Sequence, residues 1–437
     1  MATDAVNPIP RFPAGFLWGV STSAHQIEGA ADEREASVWD VFTAEPGRVK
    51  DGTTAAVACD HYHRYREDVA LLAGLGVDAY RFSVSWPRVN SPGGLDFYDR
   101  LVDELCTAGV RPVPTLFHWD LPASLDWLER DTAARFADHV SVVAERLGDR
   151  VTKWITLNEP AEHTLLGHAL GAHAPGKQLF FDALPVAHHQ LLAHGLAVQA
   201  LRAAGATDIG IANSHGPTWP ASAEPADLEA AGFYDLLLNR MFAEPIVLGA
   251  YPEGIGDLMP GDVSADLKVI SEPIDWYGIN YYAPTRVGAP QGTEIEFGGL
   301  TMPAELPFSV REIEDRPVTD FGWPVVPEGL TELLTTFRNR YGDRLPPIVI
   351  TENGCSYEGV DDQDRIAYLD GHVRALHAAL ESGVDVRGYF VWSLMDNFEW
   401  AEGYARRFGL VHVDYETQRR TPKASYQWFR DVLRAQR

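Results

Sequence analysis

Eight short β-branched or aromatic runs, alternating with stretches of helical spacing, constrain the fold of this chain more than any other feature. The runs are Leu17–Thr22, Ala79–Val84, Arg111–Phe117, Lys153–Asn158, Ile209–Ser214, Trp276–Tyr282, Pro347–Thr351 and Arg387–Ser393. Helical spacing lies between them, over Tyr62–Gly74, Phe97–Ala108, Ala133–Leu147, Pro185–Ala204, Gly329–Tyr341 and Asp361–Ser382. Apolar residues there recur at intervals of three and four, as in Val69, Leu72 and Ala73. Gly109, Gly205 and Gly383 follow three of these stretches, where a left-handed cap is expected. Strands that alternate with helices form parallel sheets. Eight such units predict an α/β fold, a single (β/α)8 TIM barrel spanning residues 1–437, with long βα loops at the rim. An open doubly wound sheet is the rival. It usually carries a glycine-rich phosphate turn after the first strand, and Ser23–Gly29 is not that fingerprint.

Composition narrows the partners. The formal net charge is −26, which repels nucleic acid phosphates and anionic lipid. No apolar run reaches the length of a membrane span. Met1 to Pro10 lacks the basic and apolar segments of a secretory signal. The three cysteines, Cys59, Cys106 and Cys355, have no metal-ligand spacing and suit a reducing compartment. A cytoplasmic protein is therefore expected, with no nucleic acid or membrane partner. The segment Ala283–Glu328 is Pro- and Gly-rich with little periodicity. Loops that long are usually functional, often as lids.

Two runs end on glutamates. Glu159 precedes Pro160, and Glu352 precedes Asn353-Gly354, so each strand stops at its carboxylate. Parallel barrels keep their chemistry at the C-terminal ends of their strands. A carboxylate pair is what cleavage of a glycosidic bond requires. The other strand ends carry hydrogen-bonding groups and tryptophans: Gln26, Arg81, His118, Trp119, Asn158, Asn280, Tyr282, Trp392, Glu399 and Trp400. Those residue types grip hydroxyls and stack on sugar rings. Other clusters read as structural. His61-x-His63 precedes a helix instead of ending the first strand, so it is not read as a metal site. His188, His189 and His194 lie on one predicted helix without carboxylates at ligand spacing, and are expected to be solvated or packed.

Ten motifs occur in order from near the first residue to near the last: Phe16–Gly19, Gln26–Gly29, Tyr80–Ser83, Leu116–Asp120, Thr156–Pro160, Ile279–Tyr282, Ile350–Gly354, Trp392–Trp400, Arg407–Asp414 and Thr421–Ser425. In this set the chain resembles family 1 of the glycoside hydrolases, the β-glucosidase family. The resemblance implies a retaining double displacement without cofactor or metal. Glu159 would be the acid/base and Glu352 the nucleophile, supported by Arg81 and Asn280. The same resemblance assigns Gln26, His118, Trp119, Asn158, Tyr282, Trp323, Trp392, Glu399, Trp400 and Phe408 to the substrate. Asn158 would meet the 2-hydroxyl, and Trp323 the leaving group. The 6-phospho-glycosidase branch carries Ser at the place of Glu399, with Lys and Tyr where Arg406 and Phe408 stand here. An anionic Glu399 is expected to repel phosphate, so the expected partner is an unphosphorylated β-glycoside or oligosaccharide. A β-glucoside is favoured, with β-galactosides and β-fucosides as further substrates. Departures from the family pattern fall near the rim: His25 for Tyr, Ala161 for a bulky residue, and loops that read as short at Asn90–Leu95 and Leu125–Arg130. A transglycosylase and a non-catalytic sugar-binding barrel are the alternatives. Intact Glu159 and Glu352 count against the second.

Overall fold

The computed structural model describes residues 8–297 and 300–437. Most of the N-terminal stretch read above, Met1–Asn7, lies outside them. Eight parallel strands form a closed barrel: β1 (Leu17–Ser21), β2 (Ala79–Ser83), β3 (Arg111–Thr115), β4 (Trp154–Asn158), β5 (Ile209–Ser214), β6 (Trp276–Asn280), β7 (Ile348–Asn353) and β8 (Val386–Trp392). Each pairs with its neighbour in chain order, and β1 closes on β8 from Leu17↔Gly388 to Ser21↔Trp392. The helices outside the strands include α1 (His61–Leu75), α2 (Gly94–Thr107), α3 (Asp131–Leu147), α4 (Leu184–Ala203), α5 (Val263–Ile270), α6 (Pro327–Tyr341), α7 (Gln363–Glu381) and α8 (Ala424–Gln436). Gly109, Gly205 and Gly383 all take left-handed φ, as their capping role requires.

Two cores hold the barrel. The larger lies between strands and helices, and includes Val69, Leu72, Leu101, Val140, Leu191 and Leu376. The second fills the interior with one residue from each strand: Leu17, Ala79, Val113, Ile155, Ala212, Trp276, Val349 and Phe390. Six of these are aliphatic and two are large rings, so space must be found for the rings. Gly19 and Gly210 supply it. A Cβ on Gly19 would stand 2.3 Å from the Phe390 ring, and one on Gly210 would stand 2.5 Å from Trp276. Lys153 closes the floor, with Nζ 4.1 Å from the Trp276 ring centre.

Above this layer the interior turns polar, because inward positions recur every second residue. Arg81, two residues after Ala79, donates from Nε to Thr115 Oγ1 at 3.2 Å and from Nη1 to the Thr351 carbonyl at 3.0 Å. Thr351 Oγ1 donates in turn to Asn280 Oδ1 at 2.6 Å. An apolar plug thus carries a hydrogen-bonded floor, and the site stands on that floor.

The segment expected as an irregular loop is partly ordered into a sheet. Thr285–Gly288 pairs in parallel with Thr218–Pro220 and antiparallel with Ser309–Arg311. Its strands are only three or four residues long, too short to leave a periodic signal. Phe308 and Val310 pack with Ala230 and Ala231 beneath it.

The histidines are packed. His61 Nδ1 lies 2.8 Å from Asp68 Oδ2, and Arg420 holds the same carboxylate. His188, His189 and His194 are buried. His188 does have a carboxylate partner, Asp266 Oδ2 at 2.9 Å, supplied by α5. Spacing along α4 alone could not reveal it. Among the described residues no helix is long and apolar enough to cross a membrane.

Candidate active site

Both strand-end glutamates follow a break in strand register. Against β5, the pairing of β4 shifts between Ile155 and Asn158. Against β6, the pairing of β7 shifts between Ile350 and Glu352. Such bulges re-aim the side chains that follow them. Glu159 is re-aimed further by φ 47° and ψ 60°. Pro160 disfavours the right-handed helical region at the residue before it. The left-handed conformation costs on the order of 1–3 kcal/mol. A hydrogen bond from Glu159 N to the Ala212 carbonyl, 2.7 Å, helps hold it. Trp119 and Trp400 also have left-handed φ, of 71° and 51°. Three of the nine non-glycine residues with positive φ among the described residues thus stand at this site.

The two carboxylates have opposite surroundings. Glu352 accepts from Arg81 Nη1 at 2.5 Å and from the Tyr282 hydroxyl at 2.7 Å. Both partners donate, as an ionised carboxylate wants. Burial and the Glu352 charge push the Tyr282 phenol well above its ordinary range, so it stays a donor. The partners of Glu159 are neutral amides. Asn280, expected beside Glu352, instead donates from Nδ2 to Glu159 Oε1 at 2.8 Å, because its Oδ1 is taken by Thr351, and Asn158 Nδ2 lies 3.4 Å from Glu159 Oε2. Burial raises its proton affinity well above the carboxylate range, and the charges of Glu352 and Glu162 raise it further.

Asn158 links the two halves. Its Oδ1 accepts from Arg81 Nη2 at 2.6 Å and from Asn280 Nδ2 at 3.0 Å. Its amide therefore points Nδ2 at His118 Nε2, 3.1 Å away. That nitrogen must accept, which puts the His118 proton on Nδ1. Burial, with the Arg81 charge, holds His118 well below its ordinary value, so the ring is neutral.

His118, Trp119, Glu159, Tyr282, Trp323, Glu352, Trp392, Glu399, Trp400 and Phe408 line a cavity of about 540 Å³. Gln26, Arg81, Asn158 and Asn280 are fully buried and bonded to the groups described. Gln26 Nε2 donates to Glu399 Oε2 at 3.2 Å and to Asn397 Oδ1 at 3.1 Å. Trp400 packs between Trp39 and Trp119, with ring centres 4.5 and 4.7 Å away. His25, which departs from the family pattern, lies parallel to Trp400 at 5.9 Å. Trp323 stacks on Phe321 at 4.3 Å and meets Tyr282 edge-on at 5.2 Å.

One electrostatic expectation changes. Burial pushes Glu399 up to about 8, and the charges of Glu352 and Glu402 add to it. At neutral pH its carboxyl is mostly protonated, not anionic as the sequence alone implied. Repulsion of phosphate must come from its neighbours. Glu352 lines the same cavity and supplies it; Glu402 also lines the cavity but is paired with Lys50 at 2.5 Å and with Arg406 at 3.0 Å, and Arg406 is held as well by the Asp320 carbonyl.

The structure adds residues that no motif announced. Glu162 lines the cavity three residues after Glu159, and accepts from Ser214 Oγ at 3.1 Å. Its spacing on a nascent helical turn was the available signal. The π-helical segments His163–Ala169 and Leu236–Arg240 put Leu165, Leu166 and Leu238 on the wall.

Comparison with known proteins identifies the family. The model of the family described as glycosyl hydrolase family 1 matches residues 9–437. Thermostable β-glucosidase B of Thermobispora bispora is 45% identical, over 99% of this chain and 92% of its own length. A bifunctional β-D-glucosidase/β-D-fucosidase of Bifidobacterium breve is 42% identical, over 97% of this chain and 98% of its own. A solved structure of a Thermotoga maritima β-glucosidase in complex with glucoimidazole superposes with a TM-score of 0.90 at 41% identity, covering 98% of this chain and 99% of that one. A full-length family match, an eight-stranded barrel and carboxylates at the ends of β4 and β7 place this chain in glycosyl hydrolase family 1.

Proposed function

We propose that this chain, acting as one catalytic domain, is a retaining β-glucosidase in which Glu352 is the nucleophile and Glu159 the acid/base. The asymmetry of the pair carries the reading. One carboxylate is held by a cation and a phenol, while the other is driven to bind a proton by burial and by its partner's charge. In the first step a Glu352 oxygen attacks the anomeric carbon of a terminal β-glucosyl residue. Glu159 gives its proton to the glycosidic oxygen, and the aglycone leaves as an alcohol. Esterification removes the Glu352 charge, so Glu159 releases its next proton more readily. It then takes a proton from water, whose oxygen displaces Glu352 and yields β-glucose. The sugar is gripped by His118, Gln26, Asn158 and Glu399, with Trp392 and Trp400 against the ring. Trp119 and Phe408 shape the wall, and Trp323 stands on the leaving-group side.

Several features support an unphosphorylated glucoside with tolerance at the 6-position. Glu399 near neutral charge can donate as well as accept, and the charge of Glu352 disfavours phosphate. The relative from Bifidobacterium breve is named for both glucosidase and fucosidase activity. Proton NMR of p-nitrophenyl β-D-glucoside hydrolysis checks the reaction, with β-glucose expected as the first-formed anomer. First-formed α-glucose, or faster hydrolysis of the 6-phosphorylated substrate, would overturn this reading.

Glu162 tunes the acid. Its charge raises the proton affinity of Glu159, so Glu162→Gln removes part of that support. Glu159 must be protonated for the first step, and activity is lost as pH rises through its pKa. The alkaline limb of kcat/KM is therefore expected to move to lower pH in Glu162→Gln. An unmoved or upward-shifted limb would contradict the coupling.

A further inference from the structure

The cavity has two halves of different chemistry. The end of β8 and the loops after β8 and β3 contribute Trp392, Glu399, Trp400 and His118, with Gln26 buried behind Glu399. The loops after β4, β5 and β6 contribute Leu165, Leu166, Leu170, Leu238, Leu306 and Phe308. This second half begins at Glu159, which protonates the leaving oxygen, so it receives the leaving group. Its shape is set by two π-helical segments, one after β4 and one after β5. Such wide turns are rare and tend to sit at functional sites. Here each turns leucines into the cavity.

Most polar side chains in this half already have partners; the second carboxylate oxygen of Glu162 and the His173 ring are the exceptions among the described residues lining it. Ser214 donates to Glu162. His215 Nδ1 lies 3.0 Å from Asn239 Oδ1, and its Nε2 lies 2.9 Å from the Tyr277 hydroxyl. Asn239 Nδ2 donates to the Gly216 carbonyl at 3.0 Å and to Asp235 Oδ1 at 2.9 Å. A second sugar would bring several hydroxyls into this space. Each hydroxyl left without a partner on desolvation weakens binding. An aliphatic group brings none, and buries its surface against six apolar side chains. We propose that the leaving-group half of this cavity selects an aliphatic aglycone, of alkyl or terpenyl type, over a second sugar. The inference rests on the β-glucosidase reading above and names the substrate class for that site.

Three substrates separate the two levels. β-D-Glucosyl fluoride has no aglycone and reads the glycone half alone. Hexyl β-D-glucoside and cellobiose differ in what enters the leaving-group half. The sugar hydroxyl of cellobiose is the more acidic leaving group, so chemistry alone favours cellobiose. Any preference for the hexyl glucoside must come from the chamber. With the native protein, kcat/KM for hexyl β-D-glucoside is expected to exceed that for cellobiose at least tenfold. A smaller ratio, or a preference for cellobiose, overturns the inference while leaving the β-glucosidase reading intact. No turnover of the fluoride would sink the β-glucosidase reading itself. Leu166→Asn and Leu238→Asn, made separately, are expected to lower the hexyl-to-fluoride ratio of kcat/KM tenfold. An unchanged ratio in both variants also overturns the proposal.

Discussion

Glu352→Ala should lower kcat on β-glucosides by on the order of 10⁵-fold, as removal of a nucleophile does when catalytic groups act as a unit. In the proposed reaction the native carboxylate forms the glycosyl ester, and Arg81 and Tyr282 donate to it. Its removal has a chemical signature that a merely unfolded protein lacks. The variant keeps Glu159 and leaves a space beside the anomeric carbon. Azide can enter there and displace 2,4-dinitrophenolate from the activated β-glucoside in a single step. One displacement inverts the centre, so the product should be α-glucosyl azide. Its anomeric coupling in the proton NMR spectrum identifies it. Formation of the β-azide, or residual hydrolysis above about a hundredth of native, would show that another group is the nucleophile.

The barrel was legible in the chain because the strands are short and helices with clear spacing lie between most of them. All eight strands stand on the expected runs, and the helix ends differ by at most three residues. The positions of Glu159 and Glu352 were legible for the same reason, since each ends a strand at a residue that cannot continue it. The devices that aim them were not. A register shift depends on the partner strand, and nothing local to Ile155 or Ile350 announces one. The π turns at His163–Ala169 and Leu236–Arg240 keep ordinary helical composition, so their leucines read as core. Protonation was the other gap. Glu399 looked anionic by residue type, but burial and the charges of Glu352 and Glu402 decide its state. Asp266 reached His188 from another helix, a contact of 78 positions along the chain.

Glu159→Ala is expected to separate the two chemical steps. Loss of a general acid costs roughly 10²–10⁴-fold in rate when the leaving group needs protonation. Alkyl glucosides should bear that full loss. A 2,4-dinitrophenyl leaving group departs without a proton, so its first step should be close to native speed. The second step still lacks its base, and the glycosyl ester on Glu352 should accumulate. A burst of dinitrophenolate, equal to the enzyme concentration, would report it. Azide needs no base and attacks the ester from the face where Glu159 stood. The product should be β-glucosyl azide, opposite in configuration to that from Glu352→Ala. The pH profile should change with it. Burial, Glu352 and Glu162 hold the Glu159 proton into the range above ordinary carboxylates, and its loss gives the native alkaline limb. Once the carboxyl is replaced by a methyl group there is no proton to lose, and the lowered kcat/KM for an alkyl glucoside, whose leaving group does need a proton, should stay level where the native enzyme declines. An alkaline limb that persists unchanged would assign the acid to a different residue. Glu162, three residues on and lining the same cavity, would be the first to test.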